Sequence, residues 1–407
     1  MEEICPKNQC TACAACMNIC PKNAICMVEK GPLGYDYPQI DPSLCIDCGL
    51  CQKICPSIHP VTLNKPLKAY AATARDNLEY MSSASGGAAS VFARAILSEG
   101  GVVYGCELEN WHSIGHRRYT DIQSVERMKG SKYVQSRIGM VFSQVRKDLE
   151  QGVTVLFTGT PCQVAGLRSY LRKSYDNLYC VDLVCHGVPS QKLLRDNVES
   201  MCQIYNCTPH TETKLSFRKK SQTSEFFLRY GVFLQEHAIP ERAKLFPYND
   251  YITAFMSGLI FRKNCFQCPY AGSSRAGDVT VADYWGLADE CRIPRPAGVS
   301  LLLPSTKQGE QLIARVSSQF YIEQRPVSEA IRGNGQLQKS SKEPENRDAF
   351  ILDYSRIGQQ AYSRHLTQYR KSYRRTERKK AVFALLRKIP GLYPLYRSLK
   401  NKTKDRK

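Results

Sequence analysis

The chain lacks any run of apolar residues long enough to cross a membrane. A spanning helix needs roughly 18 or more, and the longest stretches here, AVFALL and VSLLL, fall far short. The first residues, MEEICPKNQC, lack the basic-then-apolar layout of a secretory signal. Both absences lead to an expected cytoplasmic location. Acidic residues are scarce toward the C-terminus, where residues 364–407 hold two Asp/Glu against sixteen Lys/Arg. The overall mix, 43% hydrophobic and 23% charged, excludes a mainly disordered, collagen-like or low-complexity chain. A length of 407 residues allows two or three domains.

Two totals stand out, a net charge of +20 and 19 cysteines. Residues 1–60 are slightly acidic, with four Lys/Arg and six Asp/Glu, so the basic excess belongs mainly to the tail. A chain that coats nucleic acid is therefore not expected. Cysteines in a reducing compartment are not expected to form disulfides, and in such number they suggest metal or cofactor ligands.

Their spacing sharpens this. Residues 10–21 read CTACAACMNICP and residues 45–56 read CIDCGLCQKICP. Both fit C-x2-C-x2-C-x3-C-P. Three close thiolates can reach different irons of one cubane, while the fourth, beside proline, ligates the other cluster. One cluster would use Cys10, Cys13, Cys16 and Cys55, and the other Cys45, Cys48, Cys51 and Cys20. Zinc, the alternative, is usually held by two paired cysteine motifs and has no use for the third close thiol. Ala12, Ala14, Ala15 and Gly49 are small enough to let each loop wrap closely. Residues 5–58 resemble the bacterial two-cluster 4Fe–4S ferredoxin domain. A hairpin with a Gly/Pro turn is expected between the repeats. Cys5 and Cys26 fall outside the motif and read as small hydrophobes.

PSIHPVTLNKP, residues 56–66, reads as a linker. Beyond it strands and helices alternate: strands near 101–108, 153–159, 178–185, 278–286 and 298–303, helices near 86–99, 161–172 and 190–204. That pattern predicts an α/β domain with a mixed or mainly parallel sheet, whose ligands collect at the carboxyl ends of strands. The expected domains are 1–60, 67–340 and a basic tail, 341–407. Cys162 and Cys185 fall at strand ends, and Cys265 and Cys268 form a CxxC pair. These four suffice for a third cubane or a zinc, or are buried structural cysteines.

The segments SSASGGAAS (82–90), KGSKYVQS (129–136), FTGTPCQVAGL (157–167), DLVCHGVPS (182–190), GLIFRKNCFQCPYAG (258–272) and ADYWG (282–286) resemble the coenzyme F-420 hydrogenase/dehydrogenase β-subunit protein family. The resemblance implies a third 4Fe–4S cluster on Cys162, Cys185, Cys265 and Cys268, and a flavin, FAD or FMN. It implies an iron–sulfur flavin-dependent oxidoreductase that passes electrons through three clusters to the flavin. The final acceptor would be coenzyme F-420 or, in bacteria, another hydride-accepting substrate linked in some relatives to polysaccharide biosynthesis. A non-catalytic electron-transfer subunit serving a partner enzyme is the alternative. A redox partner protein and a small hydride acceptor or donor are expected. Flavin contacts are expected at Ser85, Gly86 and Gly87, where a helix starts, at Lys132 and Tyr133, and at Gly159 and Thr160. His186 reads as a donor to cluster sulfur, a proton relay or a structural histidine. Asp283 is expected to orient the CxxC loop, and Trp285 to be core.

In the tail, a helix over 377–388 would set Val382, Leu385 and Leu386 against a basic face and end at Pro390. It suits a solvated extension, contact with the inner, anionic membrane surface, or docking to an acidic partner.

Overall fold

The computed structural model describes residues 3–208, 213–220, 228–235, 241–294 and 297–388. The expected hairpin is β1 (Ile25–Lys30) with β2 (Tyr35–Ile40), paired antiparallel from Ile25 opposite Ile40 to Lys30 opposite Tyr35. The two cysteine loops flank it.

The body is built on one eight-stranded sheet, from β3 (Ala69–Ala74), β4 (Val102–Asn110), β5 (Ser113–Tyr119), β6 (Val155–Gly159), β7 (Leu178–Leu183), β11 (Val279–Asp283), β12 (Ser300–Pro304) and β13 (Phe320–Arg325). The order is β13-β3-β12-β11-β7-β6-β4-β5. The four central strands, β11, β7, β6 and β4, run parallel, and the flanks are antiparallel. This is the expected α/β class with a mixed sheet. The middle of the sheet is covered on both faces, as helices on both sides require: Val155, Leu156 and Phe157 in β6 are each 0% exposed. A second sheet of β8 (Lys214–Lys220), β9 (Leu228–Gln235) and β10 (Arg242–Leu245) is antiparallel throughout.

Helices Ala88–Ser98 and Lys307–Val316 cover one face of the large sheet. Helices Val141–Glu150 and Pro161–Leu171 cover the other, where Cys13, Ala14, Ala15 and Ile54 of the ferredoxin region join the same core. The N-terminal region is thus seated on the body. Asn18 Nδ2 donates to the Gly139 carbonyl at 2.8 Å, and the Tyr35 hydroxyl donates to the Ile260 carbonyl at 2.8 Å. The linker is strapped down as well: Asn64 and Arg275 exchange both backbone hydrogen bonds, at 2.9 and 2.8 Å.

The expected basic tail begins as packed structure. Helix Arg347–Ile357 and the start of helix Ala361–Lys388 bury Phe350, Tyr354, Ala361, Tyr362 and Leu366 against the small sheet and helix Gln191–Tyr205. Those apolar residues recur at helical spacing between charges, which hides them in composition. Further on, Val382 is exposed, while the side chains of Leu385 and Leu386, and Pro390, lie outside the described residues. Among the described residues no helix is long and apolar enough to cross a membrane.

Candidate functional site

The two cysteine loops adopt one geometry. Ala12 and Ala14 in the first, and Asp47 and Gly49 in the second, occupy the same two positions and all have positive φ, from 52° to 69°. Left-handed residues alternating with ordinary ones curl successive amides toward a common centre, the concave arrangement found at many iron–sulfur sites. Only Gly49 adopts that conformation free of strain. At Ala12, Ala14 and Asp47 it costs of order 1 kcal/mol each.

Cys10, Cys13, Cys16 and Cys55 line one cavity, and Cys20, Cys45, Cys48 and Cys51 another. The structure therefore groups the thiols as the spacing predicts, with the fourth of each set crossing from the other repeat. Among the described residues no three His, Cys, Asp or Glu side chains converge on a single metal-ion position. The thiols surround small cavities instead, a donor set that fits a cluster better than one ion. The first set is the inner one: Cys10, Cys13 and Cys55 are buried, whereas Cys48 is exposed beside exposed Leu44 and Ile46. Burial pushes the Cys13 thiol up to about 12 and raises Cys16 strongly.

Cys5, expected to be a plain hydrophobe, also lines the first cavity and hydrogen-bonds to Cys10 and Cys55. It stays protonated, and as donor it brings Cys10 down to about 6 and Cys55 to about 7. Cys26 is exposed on β1.

The third set converges from three separate segments. Cys162 opens helix Pro161–Leu171 after β6, Cys185 follows β7, and Cys265 and Cys268 sit in and just after the short turn Lys263–Gln267. Burial raises all four thiols, Cys185 and Cys265 to about 12, and their mutual repulsion adds to it: Cys268 and Cys185 act on Cys162, Cys265 and Cys268 on Cys185. Four half-buried thiols brought close enough to repel one another suit a cationic iron core. Cys13 acts on Cys162 too, so the first and third sets are neighbours. The turn is braced from below by a buried ion pair. Arg275 Nη2 donates to Asp182 Oδ1 at 3.1 Å and to the Leu183 carbonyl at 2.9 Å, and its Nη1 donates to the Tyr270 carbonyl at 3.0 Å.

A cavity of about 370 Å³ opens at the carboxyl ends of β6, β7 and β11, with Cys185 in its wall. Of the expected flavin contacts, Ser85, Gly87, Lys132, Tyr133, Gly159 and Thr160 line it; Gly86 does not. A Cβ on Gly86 would lie 2.2 Å from the Ala72 carbonyl oxygen and 2.5 Å from the Ser300 nitrogen, so that glycine serves helix–sheet packing. The Ser85 hydroxyl is committed to the Val299 carbonyl at 2.9 Å. Lys132 Nζ donates to the Met128 and Lys129 carbonyls, leaving one of its three donors. The Tyr133 ring packs on Phe255 at 4.7 Å. The first turn of helix Ala88–Ser98 faces the cavity, with Gly87 at its cap.

Other wall residues went unforeseen. His116 is buried, with Nε2 2.9 Å from the Thr158 carbonyl and Nδ1 3.1 Å from Ser136 Oγ. Burial brings it down to about 4, so the ring is neutral, donates from Nε2 and accepts at Nδ1. Gln163 extends this chain: its Nε2 donates to Ser136 Oγ at 3.0 Å, and its Oε1 accepts from the Thr160 amide at 3.0 Å. Thr160 Oγ1 lies 3.2 Å from Cys162 Sγ. One polar network thus joins a third-set cysteine to the cavity.

Two expectations are corrected here. Asp283 does not orient the CxxC loop; it pairs with Arg218 of the small sheet, Nη1 to Oδ2 at 2.8 Å. Trp285 is not core but 48% exposed at the cavity's rim. His186 lines the cavity and stays exposed to solvent. Asp182, the lone acid in an apolar strand, was the one sequence signal for the bracing pair.

Comparison with known proteins bears on this arrangement. Residues 152–330 match the family described as the C terminus of the Coenzyme F420 hydrogenase/dehydrogenase beta subunit, and residues 9–58 match the 4Fe-4S dicluster domain. The match to the β-subunit family thus covers the central part of the chain, residues 152–330. The chain carries a 4Fe–4S dicluster domain at its N-terminus. It is similar to the F subunit of the F(420)H(2) dehydrogenase of Methanosarcina mazei, 26% identical over 47% of this chain and 59% of that protein. Its N-terminal region is similar to the 7Fe ferredoxin of Hydrogenibacillus schlegelii, 44% identical over 11% of this chain and 47% of that protein. The chain therefore spans about half the length of these curated relatives. A chain of the F420-reducing NiFe hydrogenase complex from Methanosarcina barkeri overlays 72% of this one and 91% of itself, with a TM-score of 0.45 and 16% identity. Within the matched residues lie Cys162, Cys185, Cys265 and Cys268, together with strands β6 and β7, whose ends carry Cys162 and Cys185.

Proposed function

We propose that this chain is an iron–sulfur flavoprotein oxidoreductase of the coenzyme F-420 hydrogenase/dehydrogenase β-subunit family. Cys20, Cys45, Cys48 and Cys51 would hold the outer cluster, Cys10, Cys13, Cys16 and Cys55 the inner one, and Cys162, Cys185, Cys265 and Cys268 a third. The cavity beyond Cys185 would hold FAD or FMN against a hydride-exchanging substrate. The observation that carries this reading is the row itself: a set that reaches the surface at Cys48, a more buried set, the third set and the cavity adjoin in that order. When bound, the clusters supply one-electron carriers and the flavin converts between one- and two-electron chemistry.

The chain's own groups suit that use. Helix Ala88–Ser98 offers free amides at its first turn to an anionic phosphate. Thr160 positions its hydroxyl on the Cys162 sulfur. Neutral His116, locked by Thr158 and Ser136, adds no charge of its own to a cavity wall that already carries Lys132 and Arg218. Tyr133 and its aromatic neighbours exclude water from one side.

Anaerobic purification, flavin extraction and reduction of the bound flavin by a low-potential one-electron donor test the reading. Stoichiometric flavin that bleaches through the clusters is expected. A folded, iron-loaded protein that neither retains nor binds FAD or FMN contradicts it. The second reading, an electron-transfer subunit of a larger complex, is favoured by relatives named as part of a dehydrogenase and as part of a hydrogenase complex. A stable complex with a separate enzyme, and no turnover alone, would support it.

A further inference from the structure

Arg262 is 1% exposed and precedes the CxxC turn by three residues. Its Nε donates to the Cys10 carbonyl at 2.8 Å, across 252 positions of sequence, and its backbone amide donates to the Val188 carbonyl at 3.0 Å. The guanidinium carbon lies 4.2 Å from the centre of the Tyr37 ring and 5.8 Å from that of Tyr35. Nη1 and Nη2 are buried, and neither has a hydrogen-bond partner among the described residues, so no carboxylate there neutralises them. A buried, uncompensated guanidinium is strongly unfavourable. It persists where negative charge faces it, and the charges it acts on are the Cys10 and Cys265 thiolates. Cys20, Cys45, Cys48 and Cys51 surround a different cavity, farther out, with Cys48 at the exposed surface.

We propose that Arg262 is a positioning charge that raises the reduction potential of the inner ferredoxin centre above that of the outer one, so that electrons move inward. This rests on the dicluster reading of residues 9–58. Burial alone disfavours the more negative, reduced state and would make the inner centre the poorer acceptor. A fixed cation in a low-dielectric site opposes that penalty. The step transfers one electron: the outer centre is oxidised, the inner centre is reduced, and no bond or proton changes place. A low-potential electron-donor protein resupplies the outer centre.

The test is an EPR-monitored redox titration of the anaerobically purified full chain, as wild type, Arg262→Met and Arg262→Lys. Cys48→Ser, which removes an outer ligand, and Cys162→Ser, which removes a third-set ligand, together identify the inner signal. Arg262→Met should lower the inner midpoint and leave the outer midpoint and the iron content unchanged. Arg262→Lys, which keeps the charge, should restore the inner midpoint toward wild type. Full iron with neither midpoint moved, or both moved equally, would overturn the proposal. If Arg262→Met loses iron, the wild type and Arg262→Lys decide: an inner midpoint below the outer in both overturns it. Fewer than roughly eight irons in the wild type would instead overturn the dicluster reading beneath it.

Discussion

Gly166 lies one helical turn beyond Cys162, and a Cβ there would sit 2.7 Å from Cys13 Cβ and 2.9 Å from Cys13 Sγ. Glycine inside a helix costs about 1 kcal/mol against alanine, so intrinsic propensity favours its replacement. The close approach of the inner thiols to the body opposes it. Gly166→Ala should destabilise the protein by about 1–3 kcal/mol and lower the inner-cluster iron, measured by thermal unfolding and iron assay together. His116 makes a separate prediction. Between about pH 4 and 6.5 the unfolded chain binds a proton at this residue that the folded chain refuses. Stability should therefore fall as pH drops through that window, by about 3 kcal/mol in full. His116→Gln should flatten this slope in urea unfolding compared at about pH 5 and about pH 7. At this scale the two ferredoxin cysteine sets were legible because their spacing is the geometry of the loop. Arg262, His116 and the Arg218–Asp283 pair were not, since each acquires its meaning from a partner far away in sequence. Cys5 was hidden for a related reason: it stands before the motif, and only the fold returns it to the cluster cavity.

At the scale of elements, strands alternating with helices revealed β4, β6, β7, β11 and β12, whose apolar runs signal burial on both faces. The edges were harder to read. β3, AYAATA, is rich in alanine and carries no strand signature, yet Ala69, Ala71 and Ala72 are each 0% exposed between β12 and β13. Small side chains suit a site where helix and sheet approach closely, as Gly86 does against Ala72. The C-terminal elements were obscured by their charge. Phe350, at 0% exposure, packs on Tyr354 and Tyr362 with ring centres 5.5 and 5.2 Å away. Phe350→Ala should cost about 3–5 kcal/mol. Truncation after Arg378 should leave the unfolding midpoint within about 1 °C of wild type, because an exposed helix end contributes little. A silent Phe350→Ala would show that this segment is the loose extension its composition suggests.

Across the whole molecule, the acidic N-terminal region meets a basic body. Arg137 pairs with Asp36 and Glu29, and Arg195 with Glu29, each at 2.8 Å. These pairs are partly exposed and contribute little individually. Seating depends more on buried contacts such as Gly166 against Cys13 and Tyr35 on Ile260. The arrangement of the domains into the proposed electron path was only partly legible, because spacing identifies the sets of thiols but not which set adjoins which. The most direct test of that path is the iron content of the anaerobically reconstituted full chain beside Cys162→Ser. The account predicts roughly twelve irons in the wild type and roughly four fewer in the variant, with the ferredoxin pair intact. Equal iron in the two proteins would contradict it.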